Sequence, residues 1–197
     1  IPIKPGDFIQ IDSGTVHAIK GGTLLLETQQ SSDITYRVYD YDRLSNGKPR
    51  QLHIAQSIDV ITVPAKSADN SVVHTEKKDD AIQQLIQCPY YTVYRIDVEH
   101  RVETWQDKPF ALMSVVEGEG TLNGTHLKKG DHLILPDGYG KVELQGRMQI
   151  IASTICVHDR SNSGHLIYFP STTDSLISFS VSLRSKSPPS ETVTRSS

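Results

Sequence analysis

VVEGEGTLNGTHLKKGDHLILP, residues 115–136, is the stretch whose reading decides the fold. Asn123-Gly124 is a type I′ hairpin signal, because both central positions of that turn need a positive φ. It stands between two short β-prone runs, Thr121-Leu122 and Thr125-His126-Leu127. Lys129-Gly130-Asp131 is a second turn, and His132 to Pro136 a short apolar strand after it. Upstream, Phe110 to Val116 reads as a strand, and Glu117-Gly118-Glu119-Gly120 reads as the turn that ends it. Short strands with glycine turns at this density predict an all-β domain, a sandwich or barrel of the jelly-roll type.

Working outward, Thr92, Tyr94, Ile96 and Val98 alternate with more polar neighbours, the two-residue period of a strand. Met148 to Thr154 is a further strand. The N-terminal region repeats the grammar: Lys4–Gly14 and Lys128–Gly140 each hold a turn ending in Gly-Asp, an apolar strand and a Gly- or Pro-bearing turn. This is a weak internal repeat and predicts two β-rich modules. The first spans 1–63, with strands at Phe8–Ile11, Thr15–Ile19, Thr23–Gln30 and Thr35–Tyr39, turns at Gly21-Gly22 and Ser31-Ser32-Asp33, and a loop through Asn46-Gly47 and Pro49. Ile54, Ile58 and Ile61 fall at helical spacing and predict a short helix near 51–59. Residues 64–89 read as a polar linker with one or two helical turns at Ala81–Gln87. The second module spans 90–154. Residues 155–197 are Ser-rich, with one alternating run at Leu176–Leu183, and predict a poorly ordered or foreign tail.

Among the 197 residues the formal net charge is -3. That balance gives no electrostatic footprint for nucleic acid or an anionic membrane. No apolar run approaches the roughly 18 residues of a membrane helix, and no secretory signal opens the chain. The chain starts on Ile1 in the middle of strand-and-turn sequence, which predicts a C-terminal fragment or a processed chain. Cys88 and Cys156 form no metal spacing and no disulfide framework, an expectation of a reducing cytoplasm.

The chemistry-bearing residues lie in GTVHAIKGGTLLLETQQSSDITYRVYDYDR, residues 14–43. His17 is either a strand histidine bonded to a neighbour or a metal ligand. Glu27 follows three leucines, so its carboxylate needs a charged partner or a polar cavity. An ion pair with Arg37 would serve the first need. Arg37, among Tyr36, Tyr39 and Tyr41, suits an anionic ligand if it points inward. Asp33, Asp40 and Asp42 read as turn and loop residues. In the second module Glu119, His126 and His132 do not form a ligand set, and His74, His158 and His165 lie in loops.

Two pieces of this run, GTVHA and QQSSDITYRVYDYDR, resemble the C-terminal part of a class I, zinc-dependent mannose-6-phosphate isomerase of the short bacterial (Firmicutes-like) type. PIKPGDFIQIDSGTVHAI, PYYTVYRIDV and VVEGEGTLNGTHLKKGDHLILP add to the resemblance, which covers about residues 1–154. It implies cupin β-barrels, the second without metal, and one zinc per complete catalytic domain. It implies interconversion of mannose 6-phosphate and fructose 6-phosphate, a phosphorylated hexose as substrate and a monomeric enzyme. It also implies residue roles: His17 as a zinc ligand, Arg37 as the catalytic and substrate-binding arginine, and Glu27 as a substrate-binding carboxylate of the same cavity. The remaining ligands in that family lie upstream of the GTVHA motif, so this chain by itself is expected to be inactive. The competing expectation is a non-catalytic, sugar-binding cupin.

Overall fold

The computed structural model describes residues 2–29, 35–65, 67, 72–73 and 82–156. Strand β1 (Phe8–Ile9) pairs with β4 (Val72–Val73), and β2 (Leu44–Ser45) with β3 (Lys48–Pro49). Helix α1 (Ile54–Val60) lies between β3 and β4 in the chain. The rest is one seven-stranded antiparallel sheet: β5 (Ile82–Gln87), β6 (Tyr91–Val98), β7 (Arg101–Gln106), β8 (Phe110–Leu122), β9 (Thr125–Lys128), β10 (His132–Pro136) and β11 (Gly140–Ile155). The fold is thus all-β with one short helix. No helix among the described residues is long and apolar enough to cross a membrane.

The two long strands organise the sheet. β11 pairs with β7 through its first part and with β6 through its second, and with β8 across both. β8 in turn carries β10 on its first half and β9 on its second. A strand that changes neighbours midway must bend, and glycines mark where it does. Gly118, Gly120 and Gly146 bring β8 and β11 so close that a Cβ on Gly120 would stand 2.1 Å from the Gln145 carbonyl oxygen. The Glu117–Gly120 segment is therefore not the turn its composition predicts. Its glycines serve close backbone approach inside a continuous β8.

The folded-over sheet encloses Ile96, Val98, Met113, Val115, Val142, Leu144, Ile150 and further apolar side chains. Leu144 and Ile150 are fully buried. Apolar area removed from water is the main stabilising term, at roughly 25 cal/mol per Å². The opposite face of β6 is also buried and carries an Arg95–Asp97 ion pair, Nε to Oδ2 2.7 Å, with Gln149 donating to Asp97.

Two further expectations are corrected, and one strand is added. Residues 82–87 form a strand, not helical turns. Ile82, Leu85 and Ile86 have helical spacing because the ladder slips between Gln84 and Ile86, and the extra residue of a bulge shifts the two-residue period. Residues 101–106 add a strand that the sequence reading did not place. In the first module, the expected strands at 15–19, 23–30 and 35–39 make no ladder among their described residues, and the one at 8–11 shortens to two residues. A β-prone segment becomes a strand only where its N–H and C=O groups meet a neighbour. The helix near 51–59 is found, one to three residues later. The turn at 31–33, most of the linker and the Ser-rich tail lie outside the described residues.

Candidate functional site

Helix α1 ties the two distinctive motifs together. At its start stands His53. The Arg37 backbone N–H donates to His53 Nδ1 at 3.1 Å, and the His53 N–H donates to the Arg37 carbonyl at 2.8 Å. His53 Nδ1 is thus the acceptor at this joint. Just beyond the other end of α1, Thr62 N–H donates to the Gly14 carbonyl at 3.0 Å. Gly14 has φ +80°, and a Cβ there would stand 2.5 Å from Thr62 Oγ1. Only glycine fits both the backbone and the space. One helix therefore holds the Arg37 segment at its start and the GTVHA motif at its end.

His17 is exposed, and its Nδ1 lies 2.9 Å from the Thr15 carbonyl oxygen. A carbonyl can only accept, so Nδ1 carries the proton of this bond and Nε2 is the ring nitrogen open to another partner. That tautomer, fixed by a backbone carbonyl, is the one metal-binding histidines use. No group of three or more His, Cys, Asp or Glu side chains able to hold a metal is found among the described residues. A catalytic zinc needs about three protein ligands. His17 has the chemistry of one ligand, and the described residues do not complete the set.

Arg37 is half-buried and held at both ends. Besides its backbone bonds to His53, its Nη1 donates to the Gln51 carbonyl at 3.1 Å, and its Nε lies 3.7 Å from Asp40 Oδ1. Glu27 is half-buried and forms no ion pair with Arg37 or with any other described residue. The charge that balances Arg37 is Asp40. No hydrogen bond or ion pair joins His17, Glu27 and Arg37 to one another.

Asp40 is the residue that sequence reasoning missed. It is 5% exposed and faces three arginines. Arg43 donates to Oδ1 at 2.7 Å, and Arg50 binds both carboxylate oxygens as a fork. Hydrogen bonds from Arg50, with Arg43 adding to them against the burial that opposes, hold the Asp40 carboxyl down to about 2. The chain is folded to make this possible. Tyr41 and Asp42 both take positive φ in the turn between Asp40 and Arg43. The Asn46-Gly47 turn then folds β3 back on β2 and returns Arg50 to Asp40. The available signal was arginine at three residues before, three after and ten after one aspartate.

In the barrel, His132 Nδ1 bonds Ser114 Oγ at 2.8 Å, whereas His126 lies beside Glu119 near the β8–β11 crossing. They do not converge. The barrel interior, where a ligand would lie, is filled by apolar side chains. His74, His158 and His165 lie outside the described residues.

Comparison with known proteins places this arrangement. Residues 81–155 match the family model of the mannose-6-phosphate isomerase cupin domain. The chain is 46% identical over 158 residues to mannose-6-phosphate isomerase ManA of Bacillus subtilis, covering 78% of this chain and 50% of that protein. It is 44% identical over 158 residues to the mannose-6-phosphate isomerase of Streptococcus mutans, with the same shares. The crystal structure of the Bacillus subtilis mannose 6-phosphate isomerase superposes with a TM-score of 0.52 at 38% identity, covering 63% of this chain and 41% of that one. The chain spans about half the length of the curated relatives it matches. The sequence's resemblance to part of a mannose-6-phosphate isomerase stands on these matches.

Proposed function

We propose, on the premise that residues 81–155 form a mannose-6-phosphate isomerase cupin domain, that the chain is the C-terminal part of a zinc-dependent isomerase of mannose 6-phosphate and fructose 6-phosphate. The observation that carries the reading is the 46% identity over 158 residues to a mannose-6-phosphate isomerase, a span too long to lie within the barrel alone. The half-buried Arg37, fixed at backbone and side chain, is the group in this chain best suited to the reaction.

Aldose–ketose isomerisation removes a proton from the carbon beside a carbonyl and returns it to the neighbouring carbon through an enediolate. The barrier is the weak acidity of that C–H bond. A guanidinium already oriented towards the developing oxyanion stabilises it without reorganising, an effect worth several kcal/mol in a water-excluded site. Arg37 takes that role, and its planar fork also binds substrate oxygens. Glu27, without a charged partner among the described residues, is the proposed acceptor for sugar hydroxyls. His17 contributes one zinc ligand. The described residues supply one of the about three ligands that a catalytic zinc requires. The barrel, filled by apolar side chains, adds no chemistry. The substrate is a phosphorylated hexose, and the compartment the cytoplasm, in keeping with the free thiols of Cys88 and Cys156.

Arg37→Ala, made in a complete enzyme carrying this segment, is expected to lower kcat by about 10²–10⁴ while zinc content stays at wild type. Near-wild-type turnover overturns the role of Arg37. The chain alone is expected to bind zinc substoichiometrically and to show negligible turnover; stoichiometric zinc with measurable activity overturns its reading as part of a site.

A further inference from the structure

We infer that Asp40 is a positioning residue for Arg37: it sets the orientation of the Arg37 guanidinium, and Arg43 and Arg50 exist to hold Asp40 in place. The inference rests on the proposed role of Arg37 and goes beyond it. Three observations carry it. First, the three arginines share one carboxylate oxygen, Oδ1, but in unequal ways. Arg50 and Arg43 hydrogen-bond to Asp40, whereas Arg37 lies 3.7 Å away, at ion-pair rather than hydrogen-bond distance. Asp40 is thus clamped by two arginines and presents its remaining field to the third. Second, the clamp is built at a cost in backbone conformation. Tyr41 and Asp42 have φ of 54° and 53°, a left-handed region that side-chain-bearing residues avoid. Such a turn persists only where its surroundings over-determine it, and the Arg43 bonds to the Asp40 carbonyl and carboxylate do so. Third, the Arg37 side chain needs direction. Among the described residues one hydrogen bond, to the Gln51 carbonyl, fixes its fork, and a guanidinium so held still pivots about that contact through its Cδ–Nε torsion. A buried, ionised carboxylate beside Nε favours one orientation and leaves the far edge of the fork for an anionic oxygen.

A residue that acts through Arg37 has no effect once Arg37 is gone. The test is a double-mutant cycle in a complete enzyme carrying this segment, reading kcat and KM for mannose 6-phosphate. Asp40→Asn is expected to lower kcat about 10- to 100-fold in the Arg37 background and less than twofold in the Arg37→Ala background, with zinc content unchanged. An equal loss in both backgrounds means that Asp40 serves folding alone and overturns the inference. Unchanged kcat in Asp40→Asn with Arg37 present overturns it as well. Failure of the Arg37 reading looks different: Arg37→Ala alone would then leave kcat intact. Should Asp40→Asn not fold, Arg50→Lys carries the same cycle, since it keeps the charge but loses the two-point grip. It is expected to show the same non-additivity at about 3- to 10-fold, and additivity there overturns the inference too.

Discussion

Two turns in this chain are built alike and followed by different structures. In Lys4–Asp7 and in Lys128–Asp131, the first backbone N–H donates to the aspartate Oδ2, at 2.9 and 2.8 Å, and the aspartate N–H returns to the lysine carbonyl. Gly6 and Gly130 both take positive φ. After the second turn comes β10, five residues in register with β8. After the first comes a two-residue strand and then a long irregular run with Val16, Ile19 and Leu24 exposed. Turn chemistry is local and is fixed by four residues. A strand is not local, because each of its backbone groups needs a partner from elsewhere in the chain.

That contrast can be broken in three ways. The largest effect is in amide hydrogen exchange. Amides of β6 and of the second part of β11 open only with global unfolding, so they are expected to exchange at least about 10³-fold more slowly than those of residues 15–19 and 23–29. Barrel-like protection in 15–29 would show that the two regions are equally structured. Next comes burial. Leu144→Ala, at a site with no exposure, is expected to cost about 3 kcal/mol in urea unfolding, and Leu24→Ala, 65% exposed, less than about 0.5 kcal/mol. Comparable losses would mean that Leu24 belongs to a core. The smallest effect sharpens the turn comparison itself. Asp131→Ala is expected to destabilise the barrel by about 1 kcal/mol, and Asp7→Ala to leave the barrel's unfolding midpoint where it was. A midpoint shift from Asp7→Ala would show the first turn to be coupled to the barrel.

The candidate site divides in the same manner. His17 and Arg37 were singled out from residue types and motifs contiguous in the chain, and the structure shows what holds each: a carbonyl two residues away for His17, and the start of α1 for Arg37. Asp40 was passed over as a loop residue. A lone aspartate between tyrosines carries no sign that two turns will bring Arg43 and Arg50 back to it. Of the two readings of Glu27, the ion pair with Arg37 does not form: two opposite charges ten residues apart were available, but Asp40 lies beside Arg37 instead. The strand at 82–87 was misread because a bulge imitates helical spacing.

The sequence by itself determined the Lys4–Asp7 and Lys128–Asp131 turns, the I′ hairpin at Asn123-Gly124, the alternating strands of the barrel, and the helix of seven residues near Ile54. Each depends on a few neighbouring residues and their φ preferences or periodicity. Only the tertiary structure decided which β-prone runs became strands, that Gly118 and Gly120 lie inside a strand, and that three arginines share one buried carboxylate. Those outcomes depend on which distant backbone or charge arrives to satisfy a group, and no local pattern encodes the arrival.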